Sequence, residues 1–234
     1  MNKIFVREID DLKENILRMA GDIEKCIETV FSAIANHEKD KLLEVMESDR
    51  DIDAREVEIE EECLKMLALH QPVARDLRFV IAVMKINNDL ERVGDIMVNI
   101  ADRGVRLEDY HECDLFDKIR KMAKLAQEML LESLSSLISI DVAKAVAVIK
   151  RDDELDALNV EVIQSAIARA ARDNSEVGAL FLYHSMARDI ERIGDHATNI
   201  AEDVAYLADG WIIRHGNKNF NTGGENVQGE NSRR

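Results

Sequence analysis

The stretch DLERVGDIMVNIAD at residues 89–102 returns as DIERIGDHATNIAE at residues 189–202. In both windows the apolar residues recur every three or four positions, which is the spacing of an amphipathic helix. A near-copy displaced by 100 residues points to one supersecondary unit written twice. That duplication constrains the fold more than any other feature of the chain.

The flanking sequence supplies the rest of the unit. Ile9, Leu12, Ile16, Met19, Ile23, Cys26 and Val30 form a first heptad seam, broken by the polar HEKD at 37–40. Leu42, Val45, Asp49, Ile52, Glu56, Ile59, Cys63 and Met66 form a second seam that ends ahead of Pro72, the single proline. A third helix is predicted from about Val73 to about Val105. After the linker LEDYHECD the pattern restarts with Ile119, Met122, Ala126, Met129 and Ser133, flanked by Leu130 and Leu134. Asp141 is placed to cap the next seam, read as Val142, Ala145, Ile149, Asp152, Asp156, Asn159 and Ile163. The polar RDNSE at 172–176 breaks it, with Asn174 or Ser175 as the expected N-cap of a last helix from Leu180 to about Ala208. The second helices of the units match at an offset of 103, Asp49, Ile52 and Asp53 against Asp152, Leu155 and Asp156. No strand signal appears. The expectation is an all-α protein of two tandem, pseudo-symmetric three-helix bundles, residues 1–108 and 109–209. The Gly- and Asn-rich remainder, 210–234, is expected to be a frayed tail.

A net charge of −16 sets such a surface against nucleic acid and anionic lipid. Cys26, Cys63 and Cys113 are odd in number and far apart, unlike a disulfide framework or a zinc ribbon. The acidic N-terminus is unlike a signal peptide, and no apolar run reaches the length of a membrane span. A reducing cytoplasm is the expected location.

The acids fall in unexpected places. At 100° per residue, Glu91, Asp95, Asn99 and Asp102 share an arc of about 80° on one helix face, and Glu191, Asp195, Asn199 and Glu202 repeat it. Asp49, Asp53 and Glu56 cluster on the second helix, copied by Asp152, Asp156 and Asn159. Asp49, Glu56 and Asp152 interrupt apolar seams, where an unpaired carboxylate costs several kcal/mol. Gly94 and Gly194 lie beside the acids, although glycine inside a helix costs about 1 kcal/mol, which points to close helix approach there.

Two kinds of positive partner fit these acids. One is Arg and Lys: Arg50, Arg55, Lys85, Arg92, Arg188 and Arg192 are near in sequence, although Arg92 and Arg192 point about 100° away from the preceding glutamates and Lys85 is set to reach Asp89. The other is a metal ion, since facing helices with carboxylates four residues apart offer an oxygen-rich set suited to iron, manganese, magnesium, calcium or zinc. The stripe from Glu91 to Asp102 spans about 16 Å, room for more than one ion. A ferritin-type centre needs Glu-x-x-His on core faces, and the one match, Glu108 to His111, falls in the linker. His184, seven residues before Glu191, is a further candidate ligand of the second site, while His196 faces elsewhere. There is no phosphate-binding glycine loop and no nucleophile elbow, so catalysis is not expected.

The segments DRDID (49–53), HQPVARDLR (70–78), NNDLERVGDIMVNIAD (87–102), RDDELD (151–156) and RDIERIGDHATNIAED (188–203) together resemble the PhoU family over about residues 5–208. The resemblance implies a cytoplasmic negative regulator of phosphate uptake and of phosphate-starvation signalling. It implies a link between the Pst transporter, through its ATPase subunit PstB, and the sensor histidine kinase PhoR. It also implies homodimers and, in some members, multinuclear iron or other metal clusters. By position one site would comprise Asp49, Asp53, Glu91, Asp95 and Asp102, and the other Asp152, Asp156, Glu191, Asp195 and Glu202. Asn159 in place of Glu56 leaves the second site one charge poorer. Arg75, Arg78, Arg92 and Arg192 are candidate partner-binding residues, the first two also for an anion. The competing expectations are a carboxylate-bridged metal-binding or storage bundle with redox activity, and a structural bundle whose acids are all met by Arg or Lys.

Overall fold

A computed structural model describes residues 3–107 and 114–209, and among them every regular element is helical. The order is α1 (Lys3–Ala35), α2 (Lys39–His70), α3 (Ala74–Leu107), α4 (Leu115–Ser139), α5 (Val142–Ala170) and α6 (Val177–Asp209), with one 3-10 turn at Asn174–Glu176. The expected Glu108–His111 pair, Cys113 and the tail lie outside the described residues.

Each helix forms for the reason its sequence gives. Leu12, Ile16, Met19, Ile23 and Val30 of α1 are fully buried, and so are Ile119, Met122, Ala126 and Met129 of α4. Ser133 and Ser136 are also buried in α4, their hydroxyls donating to the carbonyls of Leu130 and Ser133 at 2.7 and 2.6 Å. Three of the breaks come at a residue with a left-handed backbone, including the β-branched Ile140 (φ 51°) after α4. His37 (φ 56°) follows α1 and Gln71 (φ 44°) follows α2 just ahead of Pro72. Asp141 caps α5 by accepting the Lys144 N–H at 3.1 Å.

The carboxylate of Asp173 accepts the Ser175 N–H at 2.8 Å, and the 3-10 turn then leads directly into α6. One local reading is corrected. In α5 the buried seam is Ala145, Val148, Leu155, Leu158, Val162 and Ala166. Ile149, Asp152, Asn159 and Ile163 border it half-buried, and Asp156 is exposed. The interrupted seam was misread because Ile149 and Ile163 supplied a second apolar spacing one residue out of phase with the buried one.

Three helices pack together in each unit, α1 with α2 and α3, and α4 with α5 and α6. The units join mainly through α3 and α6, with a smaller contact between α1 and α4. Arg103 pairs with Asp189, and Lys85 meets Asp203 at 2.7 Å, so α3 and α6 run antiparallel. The pseudo-dyad therefore stands perpendicular to both helices, and equivalent residues of the two units share a face. No helix among the described residues is long and apolar enough to cross a membrane.

Candidate functional site

The α2–α3 contact assembles the first carboxylate cluster. A Cβ added at Gly94 would lie 3.2 Å from Ile52 Cδ1 and 3.5 Å from Asp49 Oδ1, so the bare glycine lets α2 bring Asp49 against α3. Asp49, Asp53 and Glu56 from α2 thereby face Glu91 and Asp95 from α3. Burial, then the charges of Asp53 and Asp95, raise the Asp49 carboxyl above its ordinary range. Burial, then Asp95, raise Glu91 against the lowering effect of Arg92, with Asp53 and Glu56 adding to the rise. Glu56 is raised by burial, then by Glu60 and Asp53.

The second cluster is built the same way on α5 and α6. A Cβ at Gly194 would come within 2.3 Å of Leu155 Cδ2 and 3.6 Å of Asp152 Oδ1, closer than anything at Gly94. Asp152 is pushed up to about 6, by burial first and then by Asp156, Asp195, Asp153 and Glu191. Glu191 and Asp195 are raised by burial ahead of their neighbours' charges.

Arginine partners meet this chemistry unevenly. Arg92 does not point away but folds back, its Nε 3.4 Å from Glu91 and its Nη1 3.2 Å from Asp95. Its counterpart Arg192 reaches Asp189 at 3.7 Å instead. No Lys or Arg nitrogen among the described residues comes within ion-pair distance of Asp49, Asp53, Glu56, Asp152, Asp156, Glu191 or Asp195. Glu91 Oε2 and Asp152 Oδ1 are buried without a hydrogen bond, a costly condition for a carboxylate. Salt bridging alone therefore does not account for the stripes.

Four of the candidate residues are not drawn into the clusters. Asp102 pairs with Arg106 at 2.8 Å, and the Asn99 amide donates to the Asp95 carbonyl at 3.0 Å. Asn199 and Glu202 line a groove of about 680 Å³ with Glu56, Glu60, Ile81 and Met84, so they sit across from the first unit. Of the arginines, Arg75 is exposed and Arg78 half-buried. His184 is half-buried with its Nδ1 unbonded among the described residues.

Sequence reasoning missed the seam between the units. His196 Nδ1 lies 2.8 Å from Asp89 Oδ1, and Lys85 crosses to Asp203 instead of reaching Asp89. Asp189 is 6% exposed, and burial raises its carboxyl although Arg103, Arg192 and Arg188 pull it down. The available signal was that Asp89 and Asp189 are duplicated yet stand off the acidic stripe.

As a donor set the clusters suit a hard cation, with carboxylate oxygens held close enough to repel one another. Burial pushes the Cys26 thiol, next to Asp49, up to about 12, so it remains protonated. As the side chains stand, no three or more His, Cys, Asp or Glu among the described residues converge on one ion position. Holding an ion thus requires carboxylate rotamers to turn inward.

Fold and site together define a class, a tandem three-helix-bundle protein with a carboxylate cluster in each half. The model of the PhoU domain matches residues 16–104 and again 119–204, and the chain belongs to this family. A phosphate-specific transport system accessory protein PhoU homolog of Deinococcus radiodurans is 34% identical over 194 residues, 83% of this chain and 91% of that one. A homolog of the same name from Aquifex aeolicus is 34% identical over 213 residues, 91% and 96% of the two chains. The crystal structure of PhoU from Pseudomonas aeruginosa superposes with a TM-score of 0.84 at 31% identity, covering 88% of this chain and all of that one. These relatives are named as accessory proteins, not as enzymes.

Proposed function

We propose that the chain is an accessory protein of a phosphate-specific transport system that represses phosphate uptake and phosphate-starvation signalling in the cytoplasm. It does so by docking on the transporter ATPase PstB and the sensor kinase PhoR, as a homodimer. The family supports the transport role. The link to the kinase, the repression, the cytoplasmic location and the dimer extend it. The observation that carries the regulatory reading is the duplicated pair of carboxylate clusters, with raised carboxyls and buried unbonded oxygens at Glu91 and Asp152. Asp152 carries this electrostatic strain with no cationic side chain beside it, and Glu91 with Arg92 alone.

Asp49, Asp53, Glu56, Glu91 and Asp95 would hold metal in the first unit, and Asp152, Asp156, Glu191 and Asp195 in the second. The all-oxygen set favours iron, manganese or magnesium, with zinc as a further candidate. A cation bound there supplies positive charge that cancels the mutual repulsion. The surrounding residues hold α2 against α3 and α5 against α6, and Arg92 already performs a weaker version of the neutralisation.

The test is metal content per chain by mass spectrometry on tag-free protein, before and after chelation, with melting temperature followed alongside. Two or more ions per chain, lost together with stability, support metal-loaded clusters. No metal and unchanged melting would remove the ions from this reading. A storage or redox protein predicts instead a large metal excess per chain and redox cycling. Glu91→Ala with Asp95→Ala should alter partner binding, and unchanged affinity in metal-replete protein would separate the clusters from docking.

A further inference from the structure

The second unit exposes four large apolar side chains among the described residues, Val160, Ile167, Val177 and Phe181. Each has an exposed apolar counterpart in the first unit. At the α2–α5 offset of 103, Val57 matches Val160 and Leu64 matches Ile167. At the α3–α6 offset of 100, Leu77 matches Val177 and Ile81 matches Phe181. All eight are between 36% and 66% exposed. Elsewhere the two units have diverged freely, as in Met84 against His184 and Asn87 against Ala187. Scattered exposed apolar residues need no explanation, but the recurrence of all four of the second unit's at equivalent positions of the first does.

The members of each set lie together. Val57 and Leu64 fall within about 20° on α2, and Leu77 and Ile81 within about 40° on α3. Ile81 lines a groove with Glu60, and Glu60 lies within about 60° of Val57 and about 40° of Leu64 on α2, which sets the two pairs toward one side of the α2–α3 pair. The pseudo-dyad perpendicular to α3 and α6 then places the two sets on one face of the molecule. Along the paired helices they stand about 40 Å apart, at 1.5 Å per residue.

We propose that the two sets are equivalent footholds for one two-fold symmetric partner, a protein with two copies of one subunit that each present an apolar segment. The charge around the footholds adds a polarity. Glu60 and Glu61 flank the Val57–Leu64 stripe, whereas Ile163 and Gln164 occupy those places in the second unit. The partner segment is therefore apolar at its centre and bordered by Lys or Arg, and the first foothold takes it with a salt-dependent contribution that the second lacks. One linked chain engaging both copies gains avidity without any single strong contact. This inference rests on the transport reading above, which supplies the protein to test against.

The test uses the full chain and the purified phosphate-specific transport complex. Leu77→Glu with Ile81→Glu alters the first foothold, Val177→Glu with Phe181→Glu the second, and serine replaces glutamate in a parallel set whose melting confirms folding. We expect each docked chain to contact two copies of one subunit, at least a tenfold loss of affinity from either double variant, and no binding by the quadruple variant. In the serine set, which adds no charge, the first double variant should also flatten the salt dependence, and the second should leave it unchanged. Unchanged affinity in either double variant overturns the two-foothold surface while leaving the transport reading intact. So does a quadruple variant that turns from dimer to monomer yet still binds the complex, because the surface then joins two copies of this chain. Failure of the unaltered chain to bind the complex overturns the transport reading and this surface with it.

Discussion

The two units were built from one pattern, yet their carboxylate clusters carry unequal strain. In the first, Arg92 lies beside Glu91 and Asp95, and a Cβ at Gly94 would have 3.2 Å to its nearest neighbour. In the second, Arg192 is drawn off to Asp189, Asp152 is pushed up to about 6, and Gly194 leaves only 2.3 Å. The second unit has one acid fewer, Asn159 for Glu56, and still holds the more perturbed carboxyl. What sets a cluster's electrostatic strain is therefore how deeply the acids are drawn between helices and whether an arginine stays with them, more than how many there are.

The sharpest break in the comparison lies at the seam, where two cross-unit ion pairs differ in burial. Arg103→Ala leaves the buried Asp189 with only the longer Arg192 contact at 3.7 Å and should cost about 2–3 kcal/mol in denaturant unfolding, whereas Lys85→Ala, whose side chain is 41% exposed beside Asp203, should cost about 0.5 kcal/mol. Equal losses would mean that the seam is not electrostatically asymmetric.

Alanine at the two glycines comes next. Gly194→Ala should destabilise by about 1–2 kcal/mol because Leu155 must give way inside the core, while Gly94→Ala should be near neutral, its tighter contact offset by better helix propensity. Thermal melts of both variants test the order.

The pH response is the third. Folding lifts Asp152 from 3.8 to about 6, so between those values the folded chain binds more protons than the unfolded one. The group's relative stabilisation is present below about pH 4 and lost as pH rises through about 6. Asp152→Asn should therefore raise stability at pH 7 by about 1 kcal/mol, allowing for solvent screening, and flatten the pH dependence of melting in metal-free protein. Asp49→Asn should do the same to a smaller extent.

The smallest effect is expected from Arg92→Ala. It should lower metal-free stability by about 0.5 kcal/mol and raise the titration of Glu91 seen by NMR, whereas Arg192→Ala should raise Glu191 less, because Arg192 makes no ion pair with it and Arg188 also lowers it. A larger response at Glu191 would contradict the uneven pairing.

The helices, the duplication and the acids that share each stripe were legible in the residues alone. Those follow from local spacing, 3.6 residues per turn and a repeat offset, which need no knowledge of neighbours. The sequence also placed the glycines beside the acids for close approach, as the distances at Gly94 and Gly194 bear out. The remaining pairings came from how the helices pack. A stripe 12 residues long is one face of a helix, but α2 crosses α3 over a limited stretch, so Asp102 is left to Arg106 and Glu202 to a groove across the other unit. Arg92 turned back because a long side chain is not bound to its Cβ direction, and Lys85 chose Asp203 because the antiparallel α3–α6 contact brought a carboxylate from 118 residues away. Such pairings depend on how two helices meet, and their crossing is set by the packing of whole apolar faces, which no short stretch of sequence contains.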